Sequence, residues 1–400
     1  MNILALNAGS STIKASLFQM EHAGQSGDLP RGLVWESESG IEEESLALLL
    51  KPLWTGAGAL LSGPGAVNAI AHRVVHGGAT LVESMRVTDD VIRQIQLATE
   101  YAPAHNAEAL ELISEARNLF GDSVLQVVVF DTAFHRTLPP AAYAYAGPYE
   151  WIAQGIRKFG FHGISHQYAS QRAKRLLTQA TANFRLVSCH LGSGCSLTAV
   201  RNGISVDTTM GFTPLDGLPM ATRSGSVDPG ILIHLLRHGG HTAGSLDDLL
   251  NHQSGLAGLS GTNGDIREVL KAADAKVERG RLALNVFILR VRQGIAAMAA
   301  SMGGIDALSF TGGIGENSPR IRELICDDLA FLRLSVDSAR NESVGANDVE
   351  ISSQRSAVRV LVIHAEENWI MAQECARVVA AETNAIAATA VRAAIAARAT

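Results

Sequence analysis

Apolar and polar positions along this chain fall into short buried-type runs that break at glycine and resume. Asn2 to Leu6 is apolar, L-N-A-G-S-S-T-I-K turns the chain, and Thr12 to Phe18 continues as a β-branched run. That pattern predicts strand, turn and strand. It departs from a Walker loop, which needs G-x-x-x-x-G-K-[ST] leading into a helix. The same pattern recurs about half a chain later. Leu186 to Leu191 runs into Gly192-Ser193-Gly194, Ser196 to Val200 resumes the strand, and Asn202-Gly203 makes a further hairpin turn. Two such units predict an internally duplicated α/β protein.

Other segments fill in an α/β alternation. Ile70 to Val75 reads as a strand ending at Gly77-Gly78. Asn106 to Phe120 reads as a helix with Ala109, Leu110, Leu112, Ile113 and Ala116 on its apolar face and Gly121 as its stop. Val124 to Phe130 is a buried-type strand ending on Asp131, and Ser165 to Leu177 a helix. Asp228 to Leu236 and Leu246 to His252 read as short helices, and Ala275 to Met302 as a long apolar one. Asp306 to Phe310 is a strand opening onto a turn from Thr311 to Asn317, with Ser318 and Pro319 capping the next helix. A strand from Val358 to Ile363, a helix from Glu366 and an Ala-rich tail from about Ala380 close the chain. Pro139, Pro140, Gly147 and Pro148 place a hinge between Asp131 and Gly160.

At 400 residues the chain has room for two domains, and 47% hydrophobic with 18% charged residues describes a well-buried, enzyme-like protein. A net charge of -6 without a block of Lys and Arg gives no footprint for nucleic acid. Cys189, Cys195, Cys326 and Cys375 form no C-x-x-C pair, which predicts buried thiols in a reducing compartment. With no basic leader and no apolar run of membrane-spanning length, the expected setting is cytoplasmic.

Three Gly/Ser-rich turns at strand ends, Asn7 to Thr12, Gly192 to Ser196 and Gly312 to Asn317, together suit a nucleotide and its phosphates. Arg73, in A-H-R-V-V-H-G-G, and Arg223, in L-P-M-A-T-R-S-G, have two readings: surface solvation, or bidentate capture of carboxylate or phosphate. His72, His76, His105, His135, His162, His166 and His190 form a histidine-rich set. Without H-E-x-x-H, and with Gly163 inside F-H-G-I-S-H, zinc is disfavoured. An imidazole donating to a charged transition state and a hydrogen-bonded structural histidine both stay open. Asp131 closes an apolar run, where a carboxylate needs a partner, and Mg²⁺ on a nucleotide is a natural one. A solvent-facing cap is the alternative for both Asp131 and Glu367, and for Glu367, in V-I-H-A-E-E-N-W, it is the favoured reading.

Taken in order, N-A-G-S-S-T-I-K, H-R-V-V-H-G-G, A-P-A-H-N, F-D-T-A-F-H, G-F-H-G-I-S-H, H-L-G-S-G, M-G-F-T-P-L-D-G-L-P-M-A-T-R-S-G and F-T-G-G-I-G-E-N-S closely resemble the acetate kinases, from about residue 2 to 375. The resemblance implies an actin-like fold of two duplicated ribonuclease-H-like lobes, 1–134 with 368–400 and 135–367, with the active site in the cleft between them. It implies lobe closure, a homodimer, and reversible Mg²⁺-dependent transfer of the γ-phosphoryl of ATP to acetate, with Mn²⁺ as a substitute ion. It places Arg73, Arg223, His162 and Asp131 in catalysis. His105, Val75, Phe161 and Pro214 join Arg73 at the acyl site, and Asn7 and Glu367 organise the metal. Lys14, Ser10, Thr12, His190, Gly192, Ser193, Gly194, Gly312, Gly313, Ile314, Gly315 and Asn317 would meet the nucleotide.

Departures from the family pattern mark where this chain differs. Thr12 stands for a usual serine, Ser193 for an asparagine, Ala107 for a proline, Ala221 for a glycine, Ser226 for an aspartate and His364 for a proline. Ala104 replaces a leucine before His105, which predicts a wider acyl pocket that accepts propionate or butyrate. A propionate-preferring kinase is therefore the nearest rival reading. A non-catalytic actin-like ATP-binding switch is the other, and the retention of both arginines argues against it.

Overall fold

The computed structural model describes residues 1–9, 12–20, 32–40, 45–177 and 183–399; Ser10 lies outside them, as do the side chains of Ala104 and of residues 386–399. The chain divides into two compact units, Met1–Ala133 with Glu366–Thr400, and Phe134–Ala365.

The first unit is built on a six-stranded sheet of β1 (Asn2–Ala8), β2 (Thr12–Gln19), β3 (Leu33–Gly40), β4 (Ala69–Val74), β5 (Met85–Arg86) and β6 (Leu125–Phe130), in the order β3-β2-β1-β4-β6-β5. The first three strands form an antiparallel meander, β4 and β6 continue parallel to β1, and β5 closes the edge antiparallel to β6. Burial explains the sequence of each strand. β1 and β4 lie in the middle and are almost wholly buried, whereas β3 is an edge and carries Glu36 and Glu38. Leu4, Leu6, Leu17, Leu50, Leu112 and Phe120 form the core on one side. The helix Glu367–Ala399 packs against β1, β4 and β6, and Trp369 meets Phe18 with ring centroids 5.7 Å apart.

The second unit repeats this plan. Its strands are β7 (Arg185–Leu191), β8 (Cys195–Arg201), β9 (Ile204–Thr208), β10 (Ala307–Thr311), β11 (Val349–Glu350) and β12 (Arg359–Val362), ordered β11-β12-β10-β7-β8-β9. The meander, the two parallel additions and the antiparallel edge follow in the same sequence. The duplication expected from the two glycine turns is thus a duplication of whole sheets. Among the described residues one helix, Glu278–Ser301, is long and apolar enough to cross a membrane, although the sequence reading found no such run. Its Ala283, Leu284, Phe287, Val291, Ile295 and Met298 are buried and it packs on β8, so it is a core helix of this unit.

Local differences from the sequence reading have physical reasons. Gly312–Asn317, read as a turn, is a short helix: Gly312, at φ 77°, turns the chain after β10, and its amide donates to the Glu316 carboxylate within the helix. The helix before β6 starts at Pro103 rather than Asn106, since proline fits the first helical position. All four cysteines are buried and unpaired, and burial pushes the thiols of Cys195 and Cys375 up to about 12.

Four of the grouped histidines, His72, His76, His135 and His166, are core residues. His72, His135 and His166 are buried and neutral; burial lowers the first two from 6.5 to about 4 and His166 further. In the unfolded chain each takes a proton near pH 6.5, so below that pH the unfolded state binds more protons and stability falls. The loss grows toward pH 4, to about 3 kcal/mol for each of His72 and His135. Urea midpoints are therefore expected to drop steadily between pH 7 and pH 5; a flat profile would contradict the assignment.

Candidate active site

Open α/β sheets place their sites beyond the carboxyl ends of parallel strands, and each unit brings predicted residues together there. In the first unit Arg73 leaves β4, Asp131 follows β6 and Asn7 ends β1. Arg73 Nη2 donates to Asp131 Oδ2 at 2.6 Å, its Nε lies 3.2 Å from both carboxylate oxygens, and its Nη1 donates to Asn7 Oδ1 at 3.1 Å. The Asn7 amide donates in turn to Glu367 Oε2 at 2.9 Å. Burial opposes the Arg73 charge, but Asp131 and then Glu367 outweigh it and hold the guanidinium above its ordinary pKa. Glu367, which the sequence favoured as a cap, thus belongs to this cluster.

The acyl-site candidates of this unit lie beside it. Val75 is buried just after β4, and His105 sits in the first turn of Pro103–Phe120. Asn106, which sequence reasoning passed over, ties these segments together: its Oδ1 accepts from the His76 amide at 3.0 Å and its Nδ2 donates to the His76 carbonyl at 2.9 Å. Lys14, opposite Asn7 in the hairpin, pairs with Glu36 at 3.1 Å, and Glu36 also accepts from Ser16. Thr12 closes the preceding turn, its carbonyl accepting from Gly9 at 2.8 Å.

In the second unit His162 stands at φ 54° immediately before the helix Gly163–Leu176. Its Nδ1 lies 2.8 Å from Ser196 Oγ, and its ring stacks on His190 at 4.2 Å. Ser165 bonds His190 Nδ1, fixing the second ring. The buried Phe161 carbonyl accepts from His135 Nε2 at 3.0 Å, which anchors the backbone leading into His162. Arg223 Nη1 donates to the Pro214 carbonyl at 3.1 Å, and among the described residues no carboxylate pairs with it. Burial lowers its pKa. Gly255, at φ 60°, lets the Arg223 segment sit against it; a Cβ there would fall 2.3 Å from the Met220 carbonyl oxygen and 2.6 Å from that of Arg223.

A Cβ at Gly194 would lie 3.1 Å from His162 Nε2 and 3.9 Å from Arg223 Nη1. The glycine therefore leaves open the space that both groups border. Ala221 links the two loops, donating to the Ser193 carbonyl at 3.0 Å, while the Ser193 side chain stays exposed. Gly192 and Gly312 bring the ends of β7 and β10 side by side, a Cβ on Gly312 falling 2.9 Å from the Leu191 carbonyl. Gly313, Ile314, Gly315 and Asn317 follow on the short helix. Two residues missed in the sequence brace it: Glu316 accepts from the amides of Gly312 and Ala365, and buried Arg322 donates to the carbonyls of Gly315 and Glu316. His364 joins a further pair, its backbone amide donating to Asp348, which also binds Arg172.

Paired glycine turns at the ends of duplicated ribonuclease-H-like sheets, with an arginine and an imidazole over one of them, define an actin-like phosphotransferase. Residues 34–373 match the acetokinase family. An acetate kinase of Gloeobacter violaceus is 45% identical, covering 94% of this chain and 98% of its own length. The crystal structure of Porphyromonas gingivalis acetate kinase superposes with a TM-score of 0.82 at 34% identity, covering 94% of this chain and 99% of that one. A propionate kinase from Francisella tularensis gives 0.80 at 36% identity, with 93% and 98% covered. The chain belongs to the acetokinase family. It is an enzyme of the acetate kinase kind, a phosphotransferase with a carboxyl group as acceptor and ATP as co-substrate.

Proposed function

We propose that the residues gathered in the two units serve one phosphoryl transfer from ATP to acetate, giving ADP and acetyl phosphate. A carboxylate oxygen of acetate attacks the γ-phosphorus, and the bond to the β–γ bridging oxygen breaks with its electron pair going to ADP. Acetate is already ionised near neutral pH, so no base is needed; the protein's work is positioning and charge neutralisation. Arg223 and His162 Nε2 meet the equatorial oxygens of the phosphoryl in flight. Arg73, ordered by Asp131, holds the acetate carboxylate, and Val75, His105, Phe161 and Pro214 line the acyl site. His190, Gly192, Ser193 and Gly194 take the phosphates with Lys14, Ser10 and Thr12. Gly312, Gly313, Ile314, Gly315 and Asn317 take the adenosine. The observation that carries this reading is the uncompensated Arg223 guanidinium beside His162 over Gly194.

A divalent cation fits the first unit. Glu367 and Asn7 offer hard oxygen donors, and among the described residues no group of three or more His, Cys, Asp or Glu forms a protein cage. That set suits Mg²⁺, or Mn²⁺, which takes few protein ligands and completes its shell with phosphates and water. Bound there, it would neutralise charge on the β- and γ-phosphates. A cytoplasmic homodimer is the assembly the family resemblance favours, and the helix Pro229–His238 exposes three apolar side chains, Ile231, Ile233 and Leu236, 50%, 48% and 46% exposed, that a partner could cover.

Trapping acyl phosphate as its hydroxamate tests the reading: product from ATP, Mg²⁺ and acetate is expected, and none with any short acid would leave a nucleotide-binding switch. Comparing kcat/KM for acetate, propionate and butyrate tests the wider pocket inferred from Ala104. A shallow decline, each methylene being worth about 1 kcal/mol of burial, is expected; a steep fall from acetate to propionate would end that idea.

A further inference from the structure

From the buried hydrogen bonds behind His162, we infer that Ser188, His166 and Ser196 form a one-directional chain that keeps the His162 proton on Nε2. His166 Nδ1 lies 2.9 Å from Ser188 Oγ, His166 Nε2 lies 2.8 Å from Ser196 Oγ, and Ser196 Oγ lies 2.8 Å from His162 Nδ1. Ser188, Ser196 and His166 are fully buried. A hydroxyl has one hydrogen, so Ser196 donates to one imidazole and accepts from the other. Two directions are arithmetically open.

Ser188 decides between them. Its hydroxyl has one side-chain partner among the described residues, His166 Nδ1. If His166 donated from Nδ1, the Ser188 hydrogen would be buried without an acceptor, which costs about 1–3 kcal/mol. Ser188 therefore donates to His166 Nδ1, His166 donates from Nε2 to Ser196, and Ser196 donates to His162 Nδ1. His162 is left with its proton on Nε2, the atom that borders the open space at Gly194. Protonating His162 on Nδ1 would require every bond of the chain to reverse. The chain thus holds a neutral donor where a nucleophile needing no base leaves a proton acceptor without work. His166, Ser188 and Ser196 are positioning residues.

The value of that donor rests on the phosphoryl role proposed for His162, so the test separates the two. In the full-length enzyme with ¹⁵N-labelled histidine, His162 is expected to show a protonated, pyrrole-like Nε2 and a pyridine-like Nδ1 from pH 6 to 8. His166→Gln keeps an amide donor facing Ser196 and should preserve both that signature and kcat within about tenfold. His166→Met fills the space without a donor; His162 should become a tautomer mixture, with kcat down about a hundredfold and KM for acetate and ATP little changed. A wild-type His162 protonated on Nδ1, or an unchanged signature in the Met variant, would overturn the chain. A tautomer shift with unchanged kcat would keep the chain and overturn the role given to His162.

Discussion

Replacing Arg223 with glutamine is expected to lower kcat about a thousandfold, the scale at which an arginine neutralises a phosphoryl in flight. The expectation comes from how the residue is held. Arg223 rests on the Pro214 carbonyl and the Met220 sulfur, with no carboxylate paired to it among the described residues, and burial lowers its pKa. A half-buried cation without a counter-charge is compensated only when an anion arrives, so its stabilisation is realised in the reaction rather than in the fold. Thermal stability should therefore stay level or rise in the variant. Arg223→Lys keeps the charge but loses the planar fork and should recover only a small part. A loss of less than tenfold in the hydroxamate assay would remove Arg223 from the centre of the reaction.

Removing Asp131 should do the opposite to stability. Asp131 is 1% exposed and makes the short bond to Arg73. Asp131→Ala leaves that guanidinium without its main counter-charge, a change that costs about 3–5 kcal/mol in buried pairs. Activity should fall with it, because Arg73 is then free to turn away from the Asn7 side. Pairing Asp131→Leu with Arg73→Met separates the effects: apolar replacement should restore most of the stability and none of the activity. If urea midpoints of Asp131→Ala and the parent coincide, the ion pair is not what orders Arg73.

The two arginines show what a sequence can reveal. Both were visible as cations near glycine turns, and both lie at their expected strand or loop. Their difference was not visible, because it depends on Asp131 being beside one and, among the described residues, no carboxylate being beside the other. The duplicated hairpins were legible because each couples an apolar run to a glycine turn at short range. β5 and β11 were not, since two residues carry no periodicity. β3 was missed because an edge strand rich in Glu and Ser has little apolar alternation. Arg322 resembles a surface residue in a helix, and only its bonds to Asn341, Gly315 and Glu316 explain its burial. The chain behind His162 joins residues from two strands and a helix, so neighbouring letters say nothing of its direction.

The first unit is interrupted in sequence by all of the second, and this has a consequence for synthesis. Its covering helix begins at Glu367, which also completes the bond to Asn7. Residues 134 to 365 are made in between. At about 5–20 residues per second, a ribosome needs roughly ten to fifty seconds to cross that interval. During this time the strands made first carry Phe18 without Trp369, and by its end the later unit has all of its own sheet. The half of the enzyme that emerges first is the last that can finish folding.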